Sequence, residues 1–180
     1  MKKGLRIASV ATGHFDKNDH IIPGVITSIK SPNTILNVNK VLFKKDGNDA
    51  TEKIIEVILK NNLPHDIFIL KGITIAGLNY IDPFRLIETF HKPIVIVFLK
   101  KKKVDLRSIT SKVFHGRRIN EILERLPPSF KHKTRYGEIY ISSINFSDAF
   151  TKGLINKLSI VSKWPEPLRI TKIIANSCNH

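Results

Sequence analysis

Ile67-Phe68-Ile69-Leu70-Lys71-Gly72-Ile73-Thr74-Ile75-Ala76-Gly77-Leu78-Asn79-Tyr80-Ile81-Asp82 is the stretch on which the fold turns. Ile67 to Leu70, all apolar, read as a strand. Lys71 ends it, and Gly72 and Gly77 mark a glycine-rich turn. Pro83 suits the first turn of a helix carrying Phe84, Leu86, Ile87 and Phe90. Ile94 to Leu99 is a second unbroken run, as expected of a strand covered on both faces. Strand, helix, strand in this order predicts a parallel, right-handed crossover.

Upstream, Leu5 to Ala11, Gly24 to Ile29 and Ile35 to Phe43 read as three strands. Ser31-Pro32-Asn33 between the last two predicts an antiparallel hairpin. Asp49 and Glu52 have the spacing of a capping box before the stripe Ile54, Ile55, Ile58 and Leu59. Downstream, Leu106, Ile109 and Val113 suggest one helix, and Ile119, Ile122, Leu123 and Leu126 another, stopped by Pro127-Pro128. Phe130 to Gly137 reads as a basic loop and Glu138 to Ile144 as a strand. Helices are expected over Phe146 to Leu158 and Leu168 to Cys178, with Trp164 anchoring the last onto the sheet. The expected fold class is α/β, a mixed sheet with antiparallel early strands, parallel later strands and flanking helices. No repeat or composition break divides residues 1–180, so one domain is expected.

The chain has 180 residues, 42% of them hydrophobic, enough for one sizeable core. No apolar stretch approaches the ~20 residues that span a bilayer. The N-terminus lacks the apolar segment of a secretion signal, and the single cysteine, Cys178, excludes an internal disulfide and a cysteine-built zinc site. An intracellular, cytoplasmic location is the expectation. Thirty Lys and Arg against fifteen Asp and Glu give a net charge of +15. An excess of that size exceeds what ion pairing can absorb and favours a polyanion, nucleic acid first. The seven histidines show no ligand spacing; His14, His65, His91 and His115 sit near element ends, where capping and surface roles are usual.

Three motifs in order carry a family resemblance. Asp46-Gly47-Asn48-Asp49-Ala50-Thr51 resembles an Asp-Gly-Leu-Asp-Ala-Thr segment of the archaeal endonuclease dU family. Gly72-Ile73-Thr74-Ile75-Ala76-Gly77-Leu78-Asn79, with Asp82 beyond, resembles its Gly-Ile-Thr-Phe-Ala-Gly-Phe-Asn. Pro165-Glu166-Pro167-Leu168-Arg169-Ile170 resembles its Pro-Glu-Pro-Leu-Arg-Val. That family is distantly similar to endonuclease V and has a ribonuclease H-like fold. The resemblance implies a metal-dependent endonuclease acting on damaged DNA, deoxyuridine being the implied lesion, with Mg²⁺ as cofactor only where that activity is retained. DNA rather than RNA is then the expected partner.

The departures fall on the family's chemistry. Its first strand ends in Asp-Asp-Gly, here Ala11-Thr12-Gly13. Its strand before Gly72 ends in aspartate, here Lys71. A histidine of its last helix is here Lys172. Such nucleases hold a divalent ion between carboxylates on neighbouring strand tips. Ala removes a ligand, and Lys places a cation where the ion would sit; two unit charges repel by about 4 kcal/mol at ~4 Å and an effective dielectric near 20. No metal ligand set is therefore assigned.

Asp46 and Asp49 are the acids that match a family motif and are the candidate catalytic residues, read alternatively as a turn residue and a helix cap. Asp82, before Pro83, reads as a cap. Lys71, Thr74 and Asn79 are candidate phosphate contacts on the glycine-rich loop, whose glycines are read equally as turn formers. Lys100, Lys101, Lys102 and Lys103 follow a strand end and are the leading phosphate candidates. Arg117 and Arg118 and the cluster Lys131, His132, Lys133 and Arg135 come next together, with Tyr136 as a stacking platform. Three readings stand open: a nuclease-like protein that binds nucleic acid with weak or no cleavage, an active enzyme with a site rebuilt from Asp46, Asp49 and acids such as Glu138 or Glu166, and a basic protein-interaction subunit.

Overall fold

The structure is a computed structural model and describes residues 4–99 and 116–178. Lys100 to Lys103, the helix expected around Leu106 to Val113, and His115 lie outside the described residues. Nine strands are described: β1 Arg6–Thr12, β2 Ile21–Lys30, β3 Thr34–Lys44, β4 Ile67–Lys71, β5 Thr74–Ile75, β6 Asn79–Tyr80, β7 Ile94–Phe98, β8 Phe130–Thr134 and β9 Gly137–Ile144. Five helices accompany them among the described residues: α1 Ala50–Lys60, α2 Pro83–Phe90, α3 Gly116–Arg125, α4 Asp148–Leu158 and α5 Glu166–Ser177.

Seven strands form one mixed sheet in the order β3-β2-β1-β4-β7-β9-β8. β1, β2 and β3 pair antiparallel, β1, β4 and β7 pair parallel, and β9 and β8 close the sheet antiparallel. The parallel β4–α2–β7 crossover is the one expected from the run at Ile67. Alternation along the central strands splits the core into two layers. Phe68, Leu70, Ile94 and Ile96 face α1, α2 and α3. Ile67, Ile69, Val95 and Val97 face α4 and α5. Lys71, two residues past Ile69, is thereby aimed at the α5 side.

Two expectations are corrected. Phe130 to Thr134 is an edge strand and not a loop: His132 and Thr134 turn inward while Lys131 and Lys133 stay exposed. Asp49 occupies the N-cap position of α1 without a side-chain cap bond, so the capping box with Glu52 does not form. Glu52 pairs instead with Arg85 at 3.1 Å. Asp82 does cap α2, accepting from the backbone N–H groups of Phe84 (3.0 Å) and Arg85 (3.3 Å). Its other oxygen accepts from Arg118 at 2.8 Å, which ties α3 to α2. His91 closes α2 in the left-handed conformation, φ 53°.

At the far end of the sheet Arg6 grips Asp66, its guanidinium donating at 2.7 and 3.1 Å. These bonds pull the Asp66 carboxyl from the usual 3.8 to about 2. A folded pKa below the unfolded one stabilises fully above about pH 4, and the effect fades as pH falls towards 2. The pair is solvent-exposed, so Asp66→Asn is expected to cost at most about 1 kcal/mol at neutral pH and nothing near pH 2, read from denaturant melts at both.

Candidate functional site

A cavity of about 400 Å³ opens where β1 and β4 end, the position at which open α/β sheets bind ligands. The β1–β4 ladder pairs Ile7 with Ile67 and Ala8 with Phe68, and the Ser9 hydroxyl donates to the Ile69 carbonyl beyond it. Carried on, this register sets Ala11 level with Lys71. Val10, Ala11 and Thr12 form one wall, Lys71 the next, and Thr74 to Gly77 with Ile81 the third. Phe15 and, from α5, Leu168 and Lys172 complete the lining. Among the described residues that line this space there are two primary amines, Lys71 and Lys172, and no carboxylate.

The two amines are held differently. Lys71 is exposed, and its Nζ lies 4.8 Å from the centre of the Trp164 ring. A cation over an indole face is attracted by the ring quadrupole. Lys172 reaches from α5 to the end of β1, donating to the Thr12 carbonyl at 2.7 Å and the Gly13 carbonyl at 3.3 Å. Lys172 is exposed as a residue, like Lys71, but its ammonium is partly shielded where it meets these carbonyls; this desolvation first, then the charge of Lys71, lower its pKa.

Asp46 and Asp49 do not line the cavity. Asp46, in the left-handed region at φ 51°, accepts from the Leu78 N–H at 2.7 Å, and its own N–H donates to the Ala76 carbonyl at 3.0 Å. Asp49 accepts from the Asn79 side-chain amide at 2.6 Å and sits 3.7 Å from Lys53. Both acids therefore hold the β5–β6 hairpin, which forms the third wall. Among the described residues no group of three or more His, Cys, Asp or Glu gathers to hold a metal ion.

Asn79 is fully buried, and its amide is consumed: Oδ1 accepts from Ala50 N–H at 3.1 Å while Nδ2 donates to the Lys44 carbonyl at 2.8 Å and to Asp49. It has no donor left for a phosphate, which corrects that expectation. Gly77 explains itself locally. Its φ is +82°, and an added Cβ would collide with the Asp46 carboxylate. Gly77→Ala is expected to cost about 1–3 kcal/mol through backbone strain and a broken Asp46–Leu78 bond, measured by chemical denaturation.

Of the basic candidates, Arg118 is bound to Asp82 and to Glu121 at 3.4 Å, and Lys131 pairs with Glu138 at 2.7 Å. Arg117 is exposed beside Glu121. Lys133 and Arg135 are exposed and border a second concavity with Lys157 and Asn156. The Tyr136 hydroxyl donates to the Ile160 carbonyl, and Arg135 lies 5.5 Å from its ring centre. Phe98 pairs with Tyr140, so the β8–β9 turn stands at the same edge of the sheet as the tips of β1, β4 and β7. Lys157 and the Lys71–Trp164 stack had no local sequence signal, because strand order alone brings them to this edge.

The family model described as endonuclease dU matches residues 3–179. A UPF0215 protein of Nanoarchaeum equitans is 32% identical over 179 residues, covering 97% of this chain and 88% of the relative. A crystal structure of a protein of unknown function from Archaeoglobus fulgidus superposes with a TM-score of 0.75 at 23% identity, over 98% of this chain and 99% of that one. Endonuclease V of Ciona intestinalis, crystallised with a 24mer DNA containing an inosine followed by a ribo-adenosine, gives 0.64 at 11% identity, over 97% and 86%. The fold is thus that of endonuclease V, ribonuclease H-like, and the chain belongs to the endonuclease dU family.

Proposed function

We propose that this chain binds nucleic acid at the cavity edge and that metal-dependent cleavage there is weak or absent. One observation carries the reading: where β1 and β4 end side by side, Ala11 and Lys71 stand, with Lys172 opposite and, among the described residues, no carboxylate in the lining. The donor set does not fit Mg²⁺, which needs carboxylate or other oxygen ligands at near-octahedral geometry. Asp46 and Asp49 cannot rebuild it while they hold the hairpin, and Glu166 is buried against Arg169 at 2.7 Å. Glu138 is engaged by Lys131.

What the edge offers is positive charge and a hydroxyl. Lys71, the Thr74 hydroxyl and the glycine-rich turn suit a phosphate in the cavity. Lys133, Arg135 and Lys157 extend the same charge along the sheet edge. The Ciona intestinalis endonuclease V complex with DNA supports the choice of partner, and family membership supports uracil-containing DNA as the first substrate to try.

Fluorescence anisotropy with a uracil-containing oligonucleotide at several salt concentrations tests this. Affinity should fall steeply with salt, and Lys71→Glu should weaken binding and lower the slope of log K against log salt by about one. Cleavage with and without Mg²⁺ or Mn²⁺ belongs to the same experiment. Metal-dependent cutting that is lost in Asp46→Ala would replace this reading by an active enzyme. Binding that is undetectable at low salt would point to an acidic protein partner.

A further inference from the structure

Two amines in one cavity, without a carboxylate, allow two kinds of chemistry. A protonated lysine binds phosphate. A neutral one attacks carbonyl carbon, and enzymes favour the neutral form by desolvating a lysine or placing it beside another cation.

The geometry separates the two lysines by role. Lys71 lies over an indole face, an arrangement suited to an ammonium. Lys172 gives hydrogens to the Thr12 and Gly13 carbonyls. A neutral amine has two hydrogens and one lone pair, so Lys172 keeps both bonds when it loses its proton and still has the pair free. The side chain is open to solvent, and its pKa is lowered by partial desolvation of the ammonium and by Lys71. Thr12 and Thr74 supply hydroxyls to the same lining, and Phe15, Ile75, Ile81 and Leu168 its apolar part. A cavity of about 400 Å³ has room for one deoxyribose with its phosphate.

We infer that Lys172 is the nucleophile of a lyase that acts on abasic deoxyribose in DNA, with Lys71 holding the neighbouring phosphate. This rests on the nucleic-acid reading above and adds a reaction to it. The Lys172 Nζ pair forms a bond to C1′ of the open-chain sugar, and the aldehyde oxygen takes up a proton to give a carbinolamine. Its hydroxyl takes a proton from solvent and departs as water, which leaves a protonated imine. That imine acidifies C2′; its proton passes to water, and the C3′–O bond breaks with its electron pair leaving on the 3′ phosphate. Hydrolysis returns the amine and releases an unsaturated aldehyde. No oxidant, reductant or metal ion enters the balance.

The test is borohydride trapping, in chelator, with an oligonucleotide carrying one abasic aldehyde, followed by peptide mapping. The expected result is a covalent protein–DNA adduct on Lys172, with strand scission when borohydride is omitted. Lys172→Arg keeps a cation and donors to the two carbonyls but has no nucleophilic amine, and should reduce both signals to background at unchanged melting temperature. Lys60→Arg, on the exposed end of α1, should leave them unchanged. Binding to the same oligonucleotide with a tetrahydrofuran in place of the aldehyde is measured in parallel. Binding without an adduct, or an adduct that survives Lys172→Arg, overturns the lyase and leaves the nucleic-acid reading standing. Loss of tetrahydrofuran binding overturns both.

Discussion

Ala11→Asp combined with Lys71→Asp is expected to create a divalent-cation site at the ends of β1 and β4. The two positions stand level on neighbouring parallel strands, on the same face and beside one cavity. The change supplies two carboxylates and removes the cation of Lys71. By Coulomb's law that cation opposes a divalent ion ~4 Å away by about 8 kcal/mol at an effective dielectric near 20, or some six orders of magnitude in affinity. Without metal the double variant should be slightly less stable, since the two new carboxylates repel. With Mn²⁺ its melting temperature should rise as the ion binds only the folded state, by about 2.7 kcal/mol at a hundredfold excess over Kd. The single Ala11→Asp variant should show little of this, because Lys71 remains. No manganese-dependent shift in the double variant would mean that something other than Lys71 and Ala11 denies the ion its place.

The second large effect is on stability. Asn79→Ala removes the side-chain amide that serves Ala50 N–H, the Lys44 carbonyl and the Asp49 carboxylate at once, at a fully buried position. Unpaired buried polar groups cost about 1–3 kcal/mol each, so a total loss of about 3 kcal/mol or more is expected. Asn79→Asp should be no better. It keeps the acceptor for Ala50 but sets a charge against Asp49 and the Lys44 carbonyl. Urea denaturation of both variants checks this. A surface phosphate contact would behave otherwise, with Asn79→Asp folding normally and losing only DNA affinity.

The sheet's centre was legible because β4 and β7 are buried on both faces and read as unbroken apolar runs. The edge strand β8 was not: its inward positions are Phe130, His132 and Thr134, and a period-2 pattern with polar residues on the buried side resembles a basic loop. Asp49 shows why a cap cannot be told from a strut by spacing alone. The same residue type at the same position serves either the first helical turn or Asn79 on a distant hairpin. In the site, Ala11, Lys71 and Lys172 could be picked out from motif order, and the structure brings all three to one cavity. The bonds from Lys172 to Thr12 and Gly13, and the stacking of Lys71 on Trp164, arise from tertiary packing of α5 on β1 and β4. No local pattern encodes them.

The central claim is that this strand-end cavity favours anions over divalent cations. Its most direct test is to titrate the wild-type protein with Mn²⁺ and follow backbone amide NMR signals of Thr12, Gly72 and Thr74. Those three residues should show no selective, saturable paramagnetic broadening, whereas inorganic phosphate should shift them. Saturable broadening centred there at submillimolar manganese would contradict the claim.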